Sequence, residues 1–324
     1  MHLVLALDGS PSSTQARDLV ASRPWPDGTS VILVAAYDIP ATWFSESTVG
    51  AGDWLADAEA AMRREAEDSL ASMATPLQGH GWVIERRAAQ GRAASVILAV
   101  ADEVNADLIV VGSRGHGQIA SMLLGSVSAE VADQARQSVL VARGSAVSRL
   151  LVATDGSECA TIIPDMLAEW ASLRGLPAVA LSVAPVDSPA FKLIVTLYTL
   201  GNEPAELQLD ALQALHHRYA TEMAGRLSEH GIPAEAEVRL GDAAHEIIAA
   251  ASARQADLVV TGSRCLHGLD RWLLGSVVRN VLLHTQASVL ITRRQRTPPG
   301  GRAGSCRGRS RGRPPRPRAA RRRS

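Results

Sequence analysis

Short apolar runs alternate with longer stretches of helical periodicity along the first half of the chain. Runs of five to seven residues bounded by turn residues predict β-strands, and apolar residues at helical spacing predict helices. The predicted strands are LVLAL (3–7), SVILVAA (30–36), WVIERRA (82–88), DLIVVG (107–112) and SVLVAR (138–143). The predicted helices between them cover Ser12–Ser22, Asp57–Leu77, Ala93–Val104 and Ser126–Ala135.

The second half of the chain repeats this pattern. The first strands align at an offset of 147 residues, and the last third of each copy aligns at an offset of 150. Over Gly112–Arg143 and Gly262–Arg293 the copies agree at 13 of 32 positions. A repeat of this length predicts two like domains, residues 1–146 (domain 1) and 147–296 (domain 2). The second set of strands is LLVAT (150–154), AVALSVA (178–184), AEAEVRL (234–240), DLVVTG (257–262) and SVLITR (288–293), with a long helix near Ala205–His230.

The strand DLIVVG has almost no polar alternation, which is typical of a parallel strand buried on both faces. Right-handed β–α–β connections then predict an α/β fold, with a three-layer sandwich around a five-stranded parallel sheet in each domain. Ligands of such sheets bind at the carboxyl ends of the strands, where the strand order reverses. We therefore expect Asp8, Ala35–Ala36 and the loop after Gly112 to share one crevice.

That loop has the residues of an anion-binding turn. Gly112 allows close backbone approach, Gly115 allows the chain to turn, and Gly125–Ser126 opens a helix whose first amides are unpaired. Ser126 is also the predicted helix cap. A P-loop of the NTPase kind is excluded because GxxxxGK[ST] is absent. A dinucleotide-binding fingerprint is excluded because GxGxxG does not follow the first strand. Purely structural glycine turns remain the alternative.

Charge and cysteine usage narrow the class of protein. The chain has 33 basic and 33 acidic residues, but ten arginines and no acid lie in 297–324, so residues 1–296 carry a net charge of −10. An acidic body argues against nonspecific nucleic-acid binding. The three cysteines, Cys159, Cys265 and Cys306, have no CxxC or Cys/His spacing, which argues against a disulfide framework or zinc site and fits a reducing compartment. With no apolar leader and no apolar stretch of about 18 residues, we expect a cytoplasmic protein without membrane spans.

The tail 297–324 is rich in Arg, Gly and Pro and is predicted to be disordered. Three interpretations stay open: an electrostatic arm for nucleic acid or acidic partners, an unselected extension, or a segment that folds back on the acidic body.

The spacing Gly112-x-x-Gly115, nine residues, Gly125-Ser126, with DGS after the first strand, resembles that of the universal stress protein family. The resemblance covers nearly all of residues 1–296 and indicates a tandem, two-domain member of the ATP-binding type. It implies a Rossmann-like fold of the adenine-nucleotide alpha-hydrolase kind, and pairing of SVLVAR with SVLITR as an intramolecular pseudo-dimer. It also implies ATP, with Mg²⁺ carried on the phosphates rather than in a protein cage.

The resemblance assigns candidate nucleotide contacts in both copies. In domain 1 it places adenine and ribose near Asp8 and the end of the second strand, and the phosphates on the glycine loop. The candidates are Asp8, Gly9, Ala35, Ala36, Gly112, Arg114, Gly115, Gly125, Ser126 and Val127 in domain 1, and Asp155, Val183, Gly262, Gly275, Ser276 and Val277 in domain 2.

Domain 2 departs from the pattern because Cys265 stands where domain 1 has Gly115. Weak binding and no binding both remain open there, and Cys265 is either an inert thiol or a redox-sensing one. Arg114 and Arg264 point either to phosphate or to solvent. We interpret His116 as incidental and His216, His217 and His245 as surface residues.

These observations support several hypotheses about function. The first is an ATP-binding stress-response regulatory protein that acts on an unidentified protein partner. The alternatives are a slow ATP hydrolase or nucleotidyl-transferring enzyme using the same crevice, and a non-nucleotide interaction module whose crevice is filled by side chains. Another adenine nucleotide, such as cyclic AMP, and further homodimerisation of the pseudo-dimer also stay open.

Overall fold

One ten-stranded sheet runs through both domains. The computed structural model describes residues 1–38, 51–115, 124–170, 173–200, 205–263 and 274–293. The strands of domain 1 are β1 His2–Ala6, β2 Ser30–Tyr37, β3 Val83–Gln90, β4 Leu108–Gly112 and β5 Ser138–Ala142. Those of domain 2 are β6 Leu150–Ala153, β7 Ala178–Ala184, β8 Ala234–Leu240, β9 Leu258–Gly262 and β10 Ser288–Thr292.

Helices cover both faces of the sheet. In domain 1 they are α1 Pro11–Ala21, α2 Ala51–Ala74 with a following 3-10 turn at Thr75–Leu77, α3 Ala93–Glu103 and α4 Ser126–Gln134. In domain 2 they are α5 Glu158–Thr161, α6 Ile163–Glu169, α7 Pro189–Leu200, α8 Ala205–Glu229, α9 Ala243–Ala253 and α10 Ser276–His284. Among these described helices, none combines the length and apolar character that a membrane crossing requires.

The strand order is β3-β2-β1-β4-β5-β10-β9-β6-β7-β8. All neighbours within a domain are parallel, whereas β5 and β10 pair antiparallel, with Leu140 opposite Leu290. The predicted fold class and the predicted pseudo-dimer through SVLVAR and SVLITR are therefore confirmed. In each half the order reverses at the first strand, which places the switch-point crevice between β1 and β4 and between β6 and β9.

Two apolar cores lie on opposite faces of the sheet, as the strand pleat requires. Leu3 and Leu5 of β1 face a core that includes residues of α1, α2, α6 and α8. Val4 faces the other core, to which α3, α4, α9 and α10 contribute. Both cores continue across the β5–β10 junction, with Leu140 and Leu290 in the first and Val139 and Val289 in the second. Each of the two cores is therefore shared by both domains.

Two arginines, one after each domain's last strand, cross the domain junction reciprocally. The Arg293 guanidinium donates to the carbonyl oxygens of Gln137 (3.3 Å) and Ala132. The Arg143 guanidinium donates to the carbonyl oxygens of Ala287 (3.1 Å) and Leu282. Ala132 and Leu282 lie in the last turns of α4 and α10, whose carbonyls have no partner within the helix, and a cation there is favourable. Each domain therefore caps a helix of the other.

Burial lowers the pKa of both guanidinium groups to about 10. Both arginines therefore remain charged at neutral pH. The helices they cap are also joined directly, because Arg279 of α10 forms an ion pair with Asp133 of α4 at 2.7 Å. The junction thus combines strand pairing, a shared core and charged hydrogen bonds.

Cys159, at the start of α5, is buried and disulfide-bonded. The sequence argued against a disulfide framework; a single disulfide at Cys159 is not a framework, but the sequence analysis did not predict it. Sequence spacing misled because disulfide formation depends on distance in the fold rather than along the chain. Cysteine usage consequently gives no support to a reducing compartment. The predicted tail 297–324, His116, Arg264 and Cys265 lie outside the described residues.

Candidate functional site

A tight turn presents Asp8 at the carboxyl end of β1. Gly9 has φ of +78°, and the carboxylate oxygen Oδ1 of Asp8 accepts a hydrogen bond from the Ser10 amide at 3.0 Å. Ser10 in turn caps α1, since its Oγ accepts from the Ser13 amide at 3.2 Å. This local bonding fixes the turn, which leaves Asp8 and Gly9 exposed.

The loop after β4 packs against that turn through its glycines. A Cβ on Gly112 would lie 2.6 Å from the carbonyl carbon of Ser12, so a side chain here would collide with backbone. A Cβ on Gly115 would lie 2.7 Å from Oδ2 of Asp8. Gly115 therefore lies directly against the Asp8 carboxylate. Gly112 requires glycine because backbone blocks a Cβ there, whereas a Cβ at position 115 would meet only the flexible Asp8 side chain.

Hydrogen bonds join this loop to the start of α4. The Ser10 hydroxyl donates to the Arg114 carbonyl at 3.3 Å, and the Gly125 amide donates to the Ser113 carbonyl at 2.7 Å. The Ser128 hydroxyl donates to the Gly112 carbonyl at 2.6 Å. The Asp8 turn, the Gly112–Gly115 segment and the beginning of α4 thus form one cluster, as the sequence predicted.

The N-terminus of α4 faces the cluster without a side-chain cap. The capping residue is Gly125, in an extended conformation, and within the described part of the chain no side chain hydrogen-bonds to the first-turn amides. The prediction that Ser126 caps the helix is wrong, because Ser126 is the first helical residue. Ser126 and Val127 are exposed, and their amides have no partner within the helix, which makes this end suited to an anion.

Positive charge accompanies the loop. Arg114 is exposed, and it lies near enough to Arg143 to add to the lowering of the Arg143 pKa, whose main cause is burial. The two guanidinium groups belong to neighbouring strand ends, because Arg143 follows β5 and Arg114 follows β4. An anion in the crevice would be attracted by both.

The end of β2 forms the small-residue side of the crevice. The Leu7 amide donates to the Val34 carbonyl at 2.9 Å, which places Asp8 beside Ala35 and Ala36. Ala35 is buried and Ala36 is half-buried. Neither side chain is large enough to fill the space at the strand end.

Domain 2 repeats the turn and the loop base. The Asp155 carboxylate accepts from the Ser157 amide at 2.9 Å, and Gly156 has φ of +73°. A Cβ on Gly262 would lie 3.1 Å from the Cys159 carbonyl oxygen, a looser approach than at Gly112. Gly275 caps α10, whose first two residues are Ser276 and Val277, while Val183 is buried at the end of β7.

His216 of α8 belongs to the crevice of domain 2, so its prediction as a surface residue is wrong. It is 7% exposed, and its Nδ1 lies 2.8 Å from the Ser182 hydroxyl. Ser182 also donates to the Thr154 carbonyl at 2.8 Å. Since the hydroxyl proton goes to the carbonyl, Nδ1 carries the proton that joins His216 to Ser182. Helical periodicity could have predicted that His216 is buried, because Ala220 and Leu227 lie one and three turns later on the same face and are both buried.

The protein is expected to become less stable as the pH is lowered, because His216 is buried in the folded state. Burial lowers its pKa, and Asp155 opposes this shift. A histidine with a depressed pKa in the folded state contributes stability that is lost as the pH drops below about 6.5, its value when unfolded. His216→Asn keeps an amide donor for Ser182 but does not titrate. Its melting temperature should therefore decline less than that of the wild type between pH 7.5 and 5.5.

His217→Asn is the matched control, because His217 is exposed on the same helix. This variant should retain the pH dependence of the wild type. Parallel declines of wild type and His216→Asn would contradict the assignment.

Among the residues that the structure describes, no three His, Cys, Asp or Glu side chains are arranged to hold a metal ion. A cluster of protein ligands for a divalent cation is thus not part of the described crevices.

Two domains of order 3-2-1-4-5, joined through their last strands and each with a crevice at the switch point, define a tandem α/β protein of Rossmann-like architecture. A family model described as the universal stress protein family matches residues 1–143 and again 147–293. The chain therefore belongs to the universal stress protein family, and the predicted tandem, two-domain membership is confirmed.

Individual relatives agree with this assignment. A universal stress protein of Thermus aquaticus is 32% identical over 146 residues, which cover 44% of this chain and 97% of the relative. A universal stress protein of Mycobacterium tuberculosis is 29% identical over 198 residues, covering 57% of this chain and 58% of the relative. The crystal structure of a universal stress protein from Archaeoglobus fulgidus superposes with a TM-score of 0.60 at 18% identity, covering 90% of this chain and 96% of that one. This superposition shows the shared fold.

Proposed function

We propose that the protein binds ATP in the crevice of domain 1 and acts as a stress-response regulatory protein. The observation that carries the proposal is the convergence of the exposed Asp8 carboxylate, the glycine loop and the uncapped start of α4. Membership of the universal stress protein family supports it. We place this activity in the cytoplasm, where ATP is abundant.

The residues present fit ATP by their chemistry. A carboxylate such as Asp8 accepts hydrogen bonds from ribose hydroxyls, while the amides of Ser126 and Val127 and the Arg114 guanidinium suit the phosphates. A Cβ at Gly115 would crowd the Asp8 carboxylate, with 2.7 Å to Oδ2, so glycine keeps space beside Asp8 for a ligand. Bound ATP supplies negative charge to the loop, and Mg²⁺ would be carried on its phosphates.

Regulation would follow from what ATP does to the crevice. Ligand contacts with the Asp8 turn, the Gly112–Gly115 segment and α4 would add to the hydrogen bonds that connect these elements without ligand. A partner that recognises the joined arrangement would bind the ATP form more tightly, because a ligand shifts an equilibrium by its differential affinity for the two states. The partner is expected to be a protein.

Calorimetric titration of the full chain with Mg-ATP tests the proposal. We expect a dissociation constant in the micromolar range, equivalent to about 8 kcal/mol. Because the arginine-rich tail attracts any polyphosphate, inorganic triphosphate is the control and should bind more weakly. GTP, ADP and cyclic AMP then define the base and the number of phosphates required. No heat at millimolar ATP, or equal affinity for ATP and triphosphate, would reject the proposal.

A further inference from the structure

The two crevices differ in the helix that faces them. Strand registers define equivalent positions, since Leu3 pairs with Val31 in domain 1 as Leu150 pairs with Ala178 in domain 2. Ser182 is thereby the counterpart of Ala35. The offset of 150 residues that relates β3 to β8 likewise relates α2 to α8, and it matches the buried Met73 to the buried Met223. His216 and Tyr219 then correspond to Ala66 and Ser69.

Tyr219 lies over the turn that carries Asp155. A Cβ on Gly156 would lie 2.4 to 2.6 Å from three atoms of the Tyr219 ring, so the ring rests directly on this glycine. Gly156 is half-buried, whereas its counterpart Gly9 is exposed. The aromatic ring therefore occupies the space next to the turn that is open to solvent in domain 1.

His216 fills the adjoining space above β6 and β7. Its bond to Ser182 and the bond from Ser182 to Thr154 form a buried polar chain. The imidazole and the Tyr219 ring are 5.6 Å apart with an interplanar angle of 77°, an edge-to-face contact. Such contacts stabilise aromatic pairs beyond the area they bury.

Domain 1 has none of these groups at the equivalent positions. Leu7 and Ala35 stand in place of Thr154 and Ser182, so the polar chain has no counterpart. Ala66 and Ser69 present one and two heavy side-chain atoms where domain 2 presents two rings. A nucleoside entering domain 2 would have to displace both rings and break the His216–Ser182 hydrogen bond, whereas entry into domain 1 requires neither.

We propose that Tyr219 and His216 close the crevice of domain 2 to nucleotides, so that each chain binds a single nucleotide, in domain 1. The inference rests on the proposed function, because it concerns how that binding is divided between the domains. It assigns the restriction to the nucleoside end of the crevice, near Asp155 and β7, rather than to the phosphate loop. Tyr219 and His216 are in this sense specificity-determining residues.

The test exchanges the two residues for their counterparts from domain 1. His216→Ala/Tyr219→Ser is prepared in the full chain, in the wild-type background and with Gly115→Asp, which removes the site of domain 1. Equivalents of Mg-ATP bound per chain are measured by equilibrium dialysis. We expect one in the wild type, two in the double variant, none in Gly115→Asp, and one when all three changes are combined. Circular dichroism and the melting temperature establish that each variant is folded, and Tyr219→Ser alone serves if the double variant is not.

Two control variants test whether a gain in bound Mg-ATP is specific to His216 and Tyr219. His217→Ala/Arg218→Ser changes exposed neighbours on the same helix and should leave one equivalent bound. Cys265→Gly introduces into domain 2 the glycine that domain 1 has at position 115, and this variant should also bind one equivalent of Mg-ATP per chain. Two equivalents in the wild type or in Cys265→Gly, or no gain in the folded double variant, would overturn the inference. No binding to the wild type would instead reject the proposed function, and the gain from the double variant would still decide the inference.

Discussion

Gly115→Asp is expected to lower the affinity for ATP at least about 100-fold, a cost of about 2.7 kcal/mol. Its Cβ would lie 2.7 Å from Oδ2 of Asp8, so the new carboxylate would displace the Asp8 side chain and place a second negative charge beside the phosphates. The new carboxylate would repel both Asp8 and the phosphates. Calorimetry with Mg-ATP measures the loss.

Two variants separate the charge from the crowding and from the change in net charge. Gly115→Ala adds only the Cβ, which the flexible Asp8 side chain can avoid, so its loss should be smaller. Gly225→Asp introduces the same residue at an exposed position of α8, where the new Cβ has no contact within 4 Å beyond the adjoining helix backbone, and should bind ATP as the wild type does. Unaltered affinity of Gly115→Asp would remove domain 1 as the binding site.

Arg293→Ala is expected to lower the free energy of unfolding by about 3 kcal/mol, since it strips two buried carbonyls of their donors. Arg293 is 8% exposed, and it bonds Gln137 and Ala132 across the domain junction. The loss of its aliphatic stem from the junction adds to the cost. Urea unfolding followed by circular dichroism gives the value.

Arg293→Lys keeps the charge but not the fork of donors, so it should fall between the wild type and the alanine variant. Arg149→Ala is the exposed control, because Arg149 also donates to a backbone carbonyl, that of Arg254 at 2.7 Å, but at the surface. It should change stability by no more than about 0.5 kcal/mol. Equal effects of Arg293→Ala and Arg149→Ala would show that the junction does not depend on the buried guanidinium.

Most of the fold could be predicted from the sequence because strands buried on both faces consist of consecutive apolar residues, and because the second half of the chain repeats the strands of the first. Helix α7 escaped prediction for the opposite reason. Its sequence PAFKLIVTLYTL is apolar at nearly every position, so it lacks the polar face that marks a surface helix, yet Leu193 and Leu197 are each 59% exposed. It follows β7 in a part of domain 2 where the repeat offers no guide.

The glycine loop was predictable because close backbone approach at Gly112 leaves no room for a side chain. The His216 site was not, because its partner Ser182 is 34 residues away and two adjacent histidines on a helix resemble a solvated face. The Cys159 disulfide likewise depends on distances that spacing along the chain does not contain. That domain 1 binds nucleotide through the predicted residues stays a prediction.

The antiparallel pairing of β5 with β10 has a consequence for how the two halves can change. In a pair of identical subunits every substitution appears on both sides of the axis. Here both halves are one polypeptide, so their association needs no second molecule and survives any dilution. Ala66 and Ser69 can then stand in one half at the positions that His216 and Tyr219 hold in the other. The covalent link thus allows one half to specialise while the other keeps the original chemistry.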